Sequence, residues 1–209
     1  MRARVATYID GFNLYNGLKE KHGRKYMWLD LQALAAALVL PGQDLVAVSY
    51  FSARVRGEAS GARQADYIDA LRAHCPLVTV IEGRFKEKHV RCWTCGDVRV
   101  SYEEKETDVS IAVALVEDAA CDRYDRAMII SADSDLCPAI RAVRRVAPAK
   151  EVIAAFPPRR VSGELRRTAH GTFTIPDSKI RRSLLPDTVT TAAGIVLKRP
   201  SRWVGIRSS

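Results

Sequence analysis

The sequence predicts an α/β fold in which a central, mainly parallel sheet is covered by helices on both faces. Short runs of β-branched and aliphatic residues alternate with longer stretches of helical periodicity, the pattern of parallel strands joined by crossover helices. A hydrophobic content of 47% with 27% charged residues in 209 positions is ordinary for a folded chain and excludes wholesale disorder. No apolar run approaches the roughly 18 to 20 residues of a membrane-spanning helix, so we expect no membrane association.

Local signals place the elements in chain order. We predict strands at residues 5–9, 45–51, 77–81, 127–131 and 151–155. We predict helices at residues 12–21, 31–38, 59–74, 104–120 and 136–146. Asp30 is suited to cap the second helix, and prolines such as Pro76 end the elements that precede them.

Two segments depart from this alternation. The polar residues 84–103 predict a hairpin insertion between the third strand and the helix that follows. The prolines and arginines of residues 177–209 predict a basic C-terminal extension, either an extended wrap or a mobile tail. The predicted organisation is one domain at residues 1–176, followed by this extension.

The net charge of +9 is distributed unevenly. Residues 159–209 hold 11 Lys and Arg against 3 Asp and Glu, whereas residues 1–158 hold 22 against 21. A basic block of this kind binds a polyanion or is a solvated tail. If it folds beside an acidic pocket, it supplies contacts to nucleic-acid phosphates. The candidate phosphate-binding arginines are Arg159, Arg160, Arg166 and Arg167. Phe173 and Trp203 are candidates for stacking on bases, and core packing is the alternative for Phe173.

The cysteine count and the N-terminus bear on the compartment. Five cysteines are an odd number for a disulfide framework, and the early Asp10 interrupts any long apolar leader. We therefore expect reduced thiols and a cytoplasmic location. The sequence leaves the oligomeric state open, a homodimer included.

Acidic residues follow two of the predicted strands. Asp10 comes directly after the first strand, and Asp133 and Asp135 come directly after the fourth. Asp108 lies near the start of the predicted helix at 104–120, and Glu104 lies four residues earlier on the same helical face. Because parallel strands end on one edge of the sheet, we expect these acids to converge where open α/β sheets bind ligands.

A cluster of carboxylates needs compensation, because like charges raise one another's pKa and destabilise the folded state. A divalent cation supplies it, and ligands that are all oxygen favour Mg²⁺ or Mn²⁺ over zinc. Asn13, Ser131 and Ser134 are candidates to orient water, to bind a phosphate or to donate hydrogen bonds to the acids. The alternative for Asp10 and Asp133 is capping of the helices that follow them, and both uses remain open.

Three segments resemble the motifs of one family. The first reads YIDGFNLY from Tyr8, the second EKETDVSIA from Glu104, and the third ISADSDL from Ile130. In this order and at these strand–helix positions they resemble the NYN domain, the LabA-like branch of the PIN-like nuclease superfamily. The resemblance covers roughly residues 4–156.

The resemblance implies a three-layer, PIN-like (Rossmann-like) fold and metal-dependent ribonuclease activity on RNA, with single strands the expected substrate. Asp10, Asp108 and Asp133 match the acidic metal-binding core of the family, and Asp135 matches a further acid. Asn13 matches the polar residue after the first Asp, and Glu104 matches a motif position. The expected cofactor is Mg²⁺ or Mn²⁺. The alternative from another class is an inactive RNA-binding or regulatory adaptor on the same fold.

The insertion carries a second candidate metal site. His89, Cys92 and Cys95 provide an imidazole and two thiols at the spacing of a zinc knuckle, with Cys75 or His74 as a distant fourth ligand. A structural zinc ion would explain an ordered polar hairpin. The alternative is a pair of reduced cysteines on a loop, and the pattern leaves both open.

Overall fold

The computed structural model describes residues 2–53, 55, 57–91, 97–105 and 107–204, of which 84–91 and 98–105 are described by their backbone alone. In these residues the strands are β1 (Ala3–Asp10), β2 (Gln43–Ala53), β3 (Val78–Arg91), β4 (Val98–Lys105), β5 (Arg126–Ile130), β6 (Glu151–Phe156), β7 (Gly171–Thr174), β8 (Thr188–Thr190) and β9 (Val196–Lys198). The helices are α1 (Gly11–His22), α2 (Leu31–Leu38), α3 (Glu58–His74), α4 (Thr107–Ala120), α5 (Cys137–Val146), α6 (Gly163–Thr168) and α7 (Asp177–Arg182). Short 3-10 helices lie at Ser134–Leu136 and Ser201–Trp203.

Within the described residues, seven strands form one sheet in the order β4-β3-β2-β1-β5-β6-β7. Six neighbouring strands, in the sheet order β3-β2-β1-β5-β6-β7, run parallel to one another. The remaining strand, β4, pairs antiparallel with β3. The predicted α/β fold with a central parallel sheet is therefore confirmed. The sequence prediction missed β7, a strand of only four residues that depends on pairing with β6.

Two hydrophobic clusters cover the two faces of the sheet. Along β1, Val5 and Ile9 belong to one cluster while Ala6 and Tyr8 belong to the other, as the two-residue period of a strand requires. Helices α1, α2, α3 and α7 pack on the first face, and α4, α5 and α6 pack on the second. The helices of these three layers cover the faces of the sheet and leave the amino and carboxyl ends of its strands uncovered.

The prediction that Glu104 and Asp108 share a helical face is wrong. Helix α4 begins at Thr107, and Glu104 lies in β4, where it pairs with Phe85 of β3. The alternation of β-branched and polar residues from Val98 favours a strand, and the ladder to β3 extends it to Lys105. The side chain of Glu104 lies outside the described part of the structure.

The candidate zinc ligands that the structure describes, His74, Cys75 and the backbone of His89, lie far apart along β3. Cys92 and Cys95 lie outside the described residues, and His89 is described only by its backbone, which pairs with Val100. His74 and Cys75 precede β3 at its opposite end, 14 strand residues away, so their assignment as a distant fourth ligand is wrong.

Cys75 has a different environment from that of a zinc ligand. Its thiol is buried and donates a hydrogen bond to Oδ1 of Asp30 at 3.3 Å. Burial raises the pKa of the Cys75 thiol to about 12, so the thiol stays protonated. The zinc site at His89, Cys92 and Cys95 stays a prediction.

Residues 177–204 pack against the first face of the sheet. Helix α7 contacts α2, and the β8–β9 hairpin contacts α3. The ring of Trp203 lies 6.2 Å from that of Trp28 and 6.0 Å from that of Tyr67, measured between centroids, and is 9% exposed. Trp203 belongs to the core cluster and the partly buried Phe173 packs against it, so Phe173 has the core-packing role considered for it. In the described chain, no helix is long and apolar enough to cross a bilayer.

Candidate active site at the β1–β5 crevice

The strand order creates a crevice at the carboxyl ends of β1 and β5. The chain leaves β1 toward β2 on one side of the sheet centre and leaves β5 toward β6 on the other. Open α/β sheets bind ligands at such a switch point. Asp10 is the last residue of β1, and Ser131 directly follows β5, so the sequence places polar groups on both walls.

Asp10 is held by two hydrogen bonds in the floor of this crevice. Its Oδ1 accepts from the backbone N–H of Asn13 at 2.9 Å, which caps the N-terminus of α1. Its Oδ2 accepts from the hydroxyl of Ser131 at 2.8 Å. The residue is only 3% exposed, so both contacts orient a buried carboxylate.

Ser131 connects the two acidic strand ends. Its oxygen donates to Asp10 and accepts from the backbone N–H of Asp133 at 3.0 Å. Oδ1 of Asp133 in turn accepts from the backbone N–H of Asp135 at 2.9 Å and caps the 3-10 helix. A second link joins the same two loops, since Oδ1 of Asn13 accepts from the backbone N–H of Ala132 at 3.2 Å.

The capping role considered for the two acids is therefore present in the structure. Asp10 caps α1 and Asp133 caps the 3-10 helix, and Asp133 remains half-buried. A cap uses one acceptor position of a carboxylate, and each ionised group has about four. The caps explain how the side chains are oriented and do not use up their capacity as ligands.

Asp108 and Asp135 are the exposed acids of the region. Asp108 is the second residue of α4, which contacts the 3-10 helix that begins at Ser134. Ile111 of α4 and Leu136 pack in one cluster, so hydrophobic contact brings the first turn of α4 to the β5 wall of the crevice. Ser134, which lies between Asp133 and Asp135 in the chain, begins the 3-10 helix and is half-buried.

The donor set fits a hard cation, although its members do not form a closed cage. Asp10, Asp133 and Asp135 offer carboxylate oxygen atoms, which Mg²⁺ and Mn²⁺ prefer, and Ser131 and Asn13 orient the loops that carry them. Among the residues that the structure describes, no three His, Cys, Asp or Glu side chains are close enough together to hold a metal ion. Magnesium commonly uses one or two protein carboxylates and completes its shell with water and substrate phosphate, so an open set of this kind suits it.

The predicted arginines follow β6, the neighbour of β5, and so start from the same sheet edge. Pro157 and Pro158 pack against α1 at Gly17, where a Cβ would lie 2.6 Å from the carbonyl oxygen of Pro158. Arg160 forms an ion pair with Glu20 of α1 at 3.2 Å. Its Nε is buried and has no hydrogen-bond acceptor among the described residues.

The other three arginines are exposed. Arg159 has a left-handed backbone with φ of 59°. The guanidinium of Arg166 lies 5.8 Å from the ring centroid of Phe156, and Arg167 is in the same short helix, α6. The structure thus brings Arg160 against α1 and leaves the other arginines facing solvent.

The sequence analysis missed a cavity that adjoins the crevice. A cavity of about 450 Å³ begins at Gly11 and Phe12, directly after Asp10, and is lined by aromatic rings from α1, β2, α3 and the C-terminal segment. Its residues are spread from Gly11 to Trp203 with no common period, so no local pattern could have identified it.

Comparison with known proteins identifies a family and a similar fold. The model of the NYN domain matches residues 4–177 of the chain. A 6-hydroxy-3-succinoylpyridine 3-monooxygenase from Pseudomonas putida is 29% identical over 175 residues, which cover 68% of this chain and 55% of that protein. The chain therefore spans about half the length of this curated relative.

A solved structure shares the architecture. The crystal structure of a protein of unknown function from Vibrio parahaemolyticus superimposes with a TM-score of 0.53 at 20% identity. The superposition covers 84% of this chain and 94% of that one. At this identity the likeness supports the fold alone.

Proposed function

This chain belongs to the NYN domain family of the PIN-like nuclease superfamily, and from that premise we propose that it is a metal-dependent ribonuclease. It would hydrolyse phosphodiester bonds in single-stranded RNA at the β1–β5 crevice. One observation carries the proposal: Ser131 bridges Asp10 and Asp133 across the switch point of the sheet. Ser131 thus holds the carboxylate of Asp10 and the backbone of Asp133 at a ligand-binding edge, an arrangement that suits phosphoryl chemistry.

The acids would hold Mg²⁺ or Mn²⁺, with Asp10 and Asp133 as the central ligands and Asp108 and Asp135 at the rim. When bound, the cation supplies positive charge that activates water and stabilises the leaving oxygen. Ser131 keeps an oxygen of Asp10 oriented through its 2.8 Å hydrogen bond. Asn13 uses its Oδ1 for Ala132, which leaves its amide nitrogen able to donate to a phosphate oxygen.

The arginines would bind the RNA backbone on either side of the cut. Arg160 lies against α1, where the half-exposed end of its guanidinium pairs with Glu20 and would exchange that partner for a phosphate. Arg159, Arg166 and Arg167 are exposed and would contribute contacts that weaken as salt concentration rises.

A second candidate is an RNA-binding adaptor without turnover. The observation that favours it is that Asp10 and Asp133 both cap helices, while no three metal-ligating side chains converge in the described residues. The adaptor would keep the arginine contacts and lack hydrolysis.

A cleavage assay separates the two candidates. Labelled single-stranded RNA is incubated with the protein in Mg²⁺ or Mn²⁺, with EDTA as one control and Asp133→Asn as another. Asp44→Asn serves as the matched variant, since Asp44 is exposed at the start of β2 and pairs with Arg2. We expect cleavage in metal, loss with EDTA or Asp133→Asn, and retention in Asp44→Asn.

Two other outcomes decide against the proposal. Cleavage that survives both EDTA and Asp133→Asn removes the crevice as its source. RNA binding without cleavage in either metal favours the adaptor.

A further inference from the structure

The cavity beside the crevice has aromatic walls. We call it the aromatic cavity and define it by the rings of Phe12, Tyr15, Tyr50, Tyr67 and Trp203. Its volume of about 450 Å³ is within the range of small-molecule and cofactor sites. It adjoins the first face of the sheet, on the side of β1 that carries α1 and α3.

Three of these rings form a fixed wall. Tyr67 packs edge-on to Tyr50 at 6.4 Å and to Trp203 at 6.0 Å, measured between ring centroids. The hydroxyl of Tyr67 donates to the carbonyl oxygen of Leu29 at 2.7 Å, and burial raises the pKa of Tyr67 well above its ordinary value. The wall is therefore neutral and preformed, as a surface for stacking must be.

Ser52 and Ala53 at the end of β2 and Val55 also line the cavity, and Gln64 of α3 holds all three by hydrogen bonds. The Nε2 of Gln64 donates to the carbonyl oxygen of Ala53 at 2.9 Å, and to the hydroxyl of Ser52 at 3.2 Å. Its Oε1 accepts from the backbone N–H of Val55 at 2.6 Å. One side chain thus fixes the width of the cavity between β2 and α3.

The mouth of the cavity carries exposed rings and positive charge. Phe12 is 62% exposed and Tyr15 is 38% exposed, and Nζ of Lys19 lies 5.8 Å from the centroid of the Tyr15 ring. Arg24 and Arg63 line the same cavity, and neither forms an ion pair within the described chain. An apolar slot with unpaired guanidinium groups at its edge matches a planar aromatic group that carries an anion.

Gly11 joins the aromatic cavity to the crevice. A Cβ on Gly11 would lie 2.6 Å from the carbonyl oxygen of Phe51 and 2.8 Å from the ring of Tyr50. The glycine thus lets the Tyr50 ring approach the backbone directly after Asp10. A ligand in the cavity is consequently one residue along the chain from the acidic site.

We propose that the aromatic cavity binds the base of an unpaired nucleotide. This nucleotide is next to the phosphodiester that would be cleaved in the crevice at Asp10 and Asp133. Arg24 and Arg63 then bind flanking phosphates. This inference rests on the proposed function for the identity of the ligand. A base inside a duplex is stacked on its neighbours and cannot enter such a cavity, so the cavity selects single strands.

Binding in EDTA tests the cavity without catalysis. The probe is fluorescein-labelled oligouridine, followed by anisotropy, beside a ribose-phosphate chain of equal length that lacks bases. Tyr15→Ala removes a ring at the mouth, Arg63→Gln removes one guanidinium, and Arg145→Gln removes an exposed guanidinium from α5 on the other face. Circular dichroism checks folding, and Tyr15→Leu replaces Tyr15→Ala if the latter does not fold.

We expect Tyr15→Ala to weaken oligouridine binding by about tenfold and to leave binding of the baseless chain unchanged, since stacking requires a base. Arg63→Gln weakens binding of both probes, and Arg145→Gln changes either by no more than about twofold. Equal oligouridine affinity in Tyr15→Ala and the native protein overturns the proposal. A second result would also overturn it: nicotinate, a pyridine carboxylate, binds the native protein and not Tyr15→Ala, while oligouridine binds both equally.

The two proposals fail separately. Tyr15-dependent binding of oligouridine with no cleavage in Mg²⁺ or Mn²⁺ supports the cavity and contradicts the ribonuclease. Metal-dependent cleavage with no effect of Tyr15→Ala on binding supports the ribonuclease and contradicts the cavity.

Discussion

The acidic residues at the amino ends of the parallel strands (the amino edge) have different partners from those at the carboxyl ends (the carboxyl edge). At the amino edge, Asp122 and Asp125 share the guanidinium of Arg4, at 3.0 and 2.9 Å, and both also pair with Lys150. The Oδ2 of Asp125 further accepts from the backbone N–H of Arg4 at 2.8 Å. These acids link the starts of β1, β5 and β6.

At the carboxyl edge, Asp133 is oriented by a neutral group instead. Asp133 accepts from a backbone N–H, and within the described chain neither Asp133 nor Asp135 forms an ion pair. A carboxylate with a cationic partner stabilises the fold, whereas one with only neutral partners keeps its negative charge for a ligand. The contrast indicates which edge serves structure and which is suited to bind a cation.

Isosteric removal of one charge at each edge has the largest expected effect. Asp10→Asn keeps a side chain that can still cap α1, but it lowers metal-dependent RNA cleavage by about 100-fold or more, because a charged ligand is lost. Asp122→Asn, at the amino edge, leaves cleavage within about twofold. Initial rates on labelled RNA, with folding checked by circular dichroism, measure both. Equal loss in the two variants would remove the functional distinction between the edges.

The bridge between the carboxyl-edge acids has the next largest effect. Ser131→Ala removes the donor to Asp10 and leaves the backbone N–H of Asp133 without its acceptor. We expect cleavage to fall by about tenfold, with a raised metal requirement, because Ser131 positions a ligand and is not one itself. A metal titration of the cleavage rate tests this. Ser131→Thr, which keeps the hydroxyl, should retain more of the activity than Ser131→Ala.

The crevice could be predicted from the sequence because two separate signals coincide there. Asp10 and Asp133 each follow an apolar run that predicts a parallel strand, and parallel strands end on one edge. The capping role of Asp30 was also predicted from the sequence and is confirmed, because its Oδ1 accepts from the backbone N–H of Ala33 at the start of α2. The position of a side chain can be predicted from the sequence where the local residue pattern and the topology of the fold indicate the same place.

Other features depend on contacts that no local pattern encodes. The helical prediction for Glu104 was wrong because pairing with β3, across the hairpin, continues β4 to Lys105. The aromatic cavity is assembled from Tyr50, Tyr67 and Trp203, and Trp203 reaches the other two rings because the C-terminal segment packs on α3. Long-range pairing and packing decide such features, and local propensity is a weak guide to them.

Stability should show the reverse contrast between the edges. Asp125→Ala removes the ion pair to Arg4 and the acceptor of its backbone N–H, and should lower the free energy of unfolding by about 1 kcal/mol, since the side chain is partly solvent-screened. Asp135→Ala removes an exposed side chain and should change it by no more than about 0.5 kcal/mol. Urea unfolding measures both. A larger loss for Asp135→Ala would mean that the carboxyl edge also supports the fold.

The pH dependence of the amino edge gives the smallest and most specific effect. Hydrogen bonds from Arg4 hold the pKa of Asp125 well below its usual range, and those from Lys150 and Arg4 lower the pKa of Asp122. A carboxyl with a depressed folded-state pKa contributes stability above its unfolded value, near about 3.9, and loses it as pH falls toward the folded value. The difference in unfolding free energy between the native protein and Asp125→Asn should therefore be constant from about pH 7 to pH 5 and shrink below about pH 4. A difference that grows on acidification would contradict the assignment of Arg4 as the partner that stabilises the charged form.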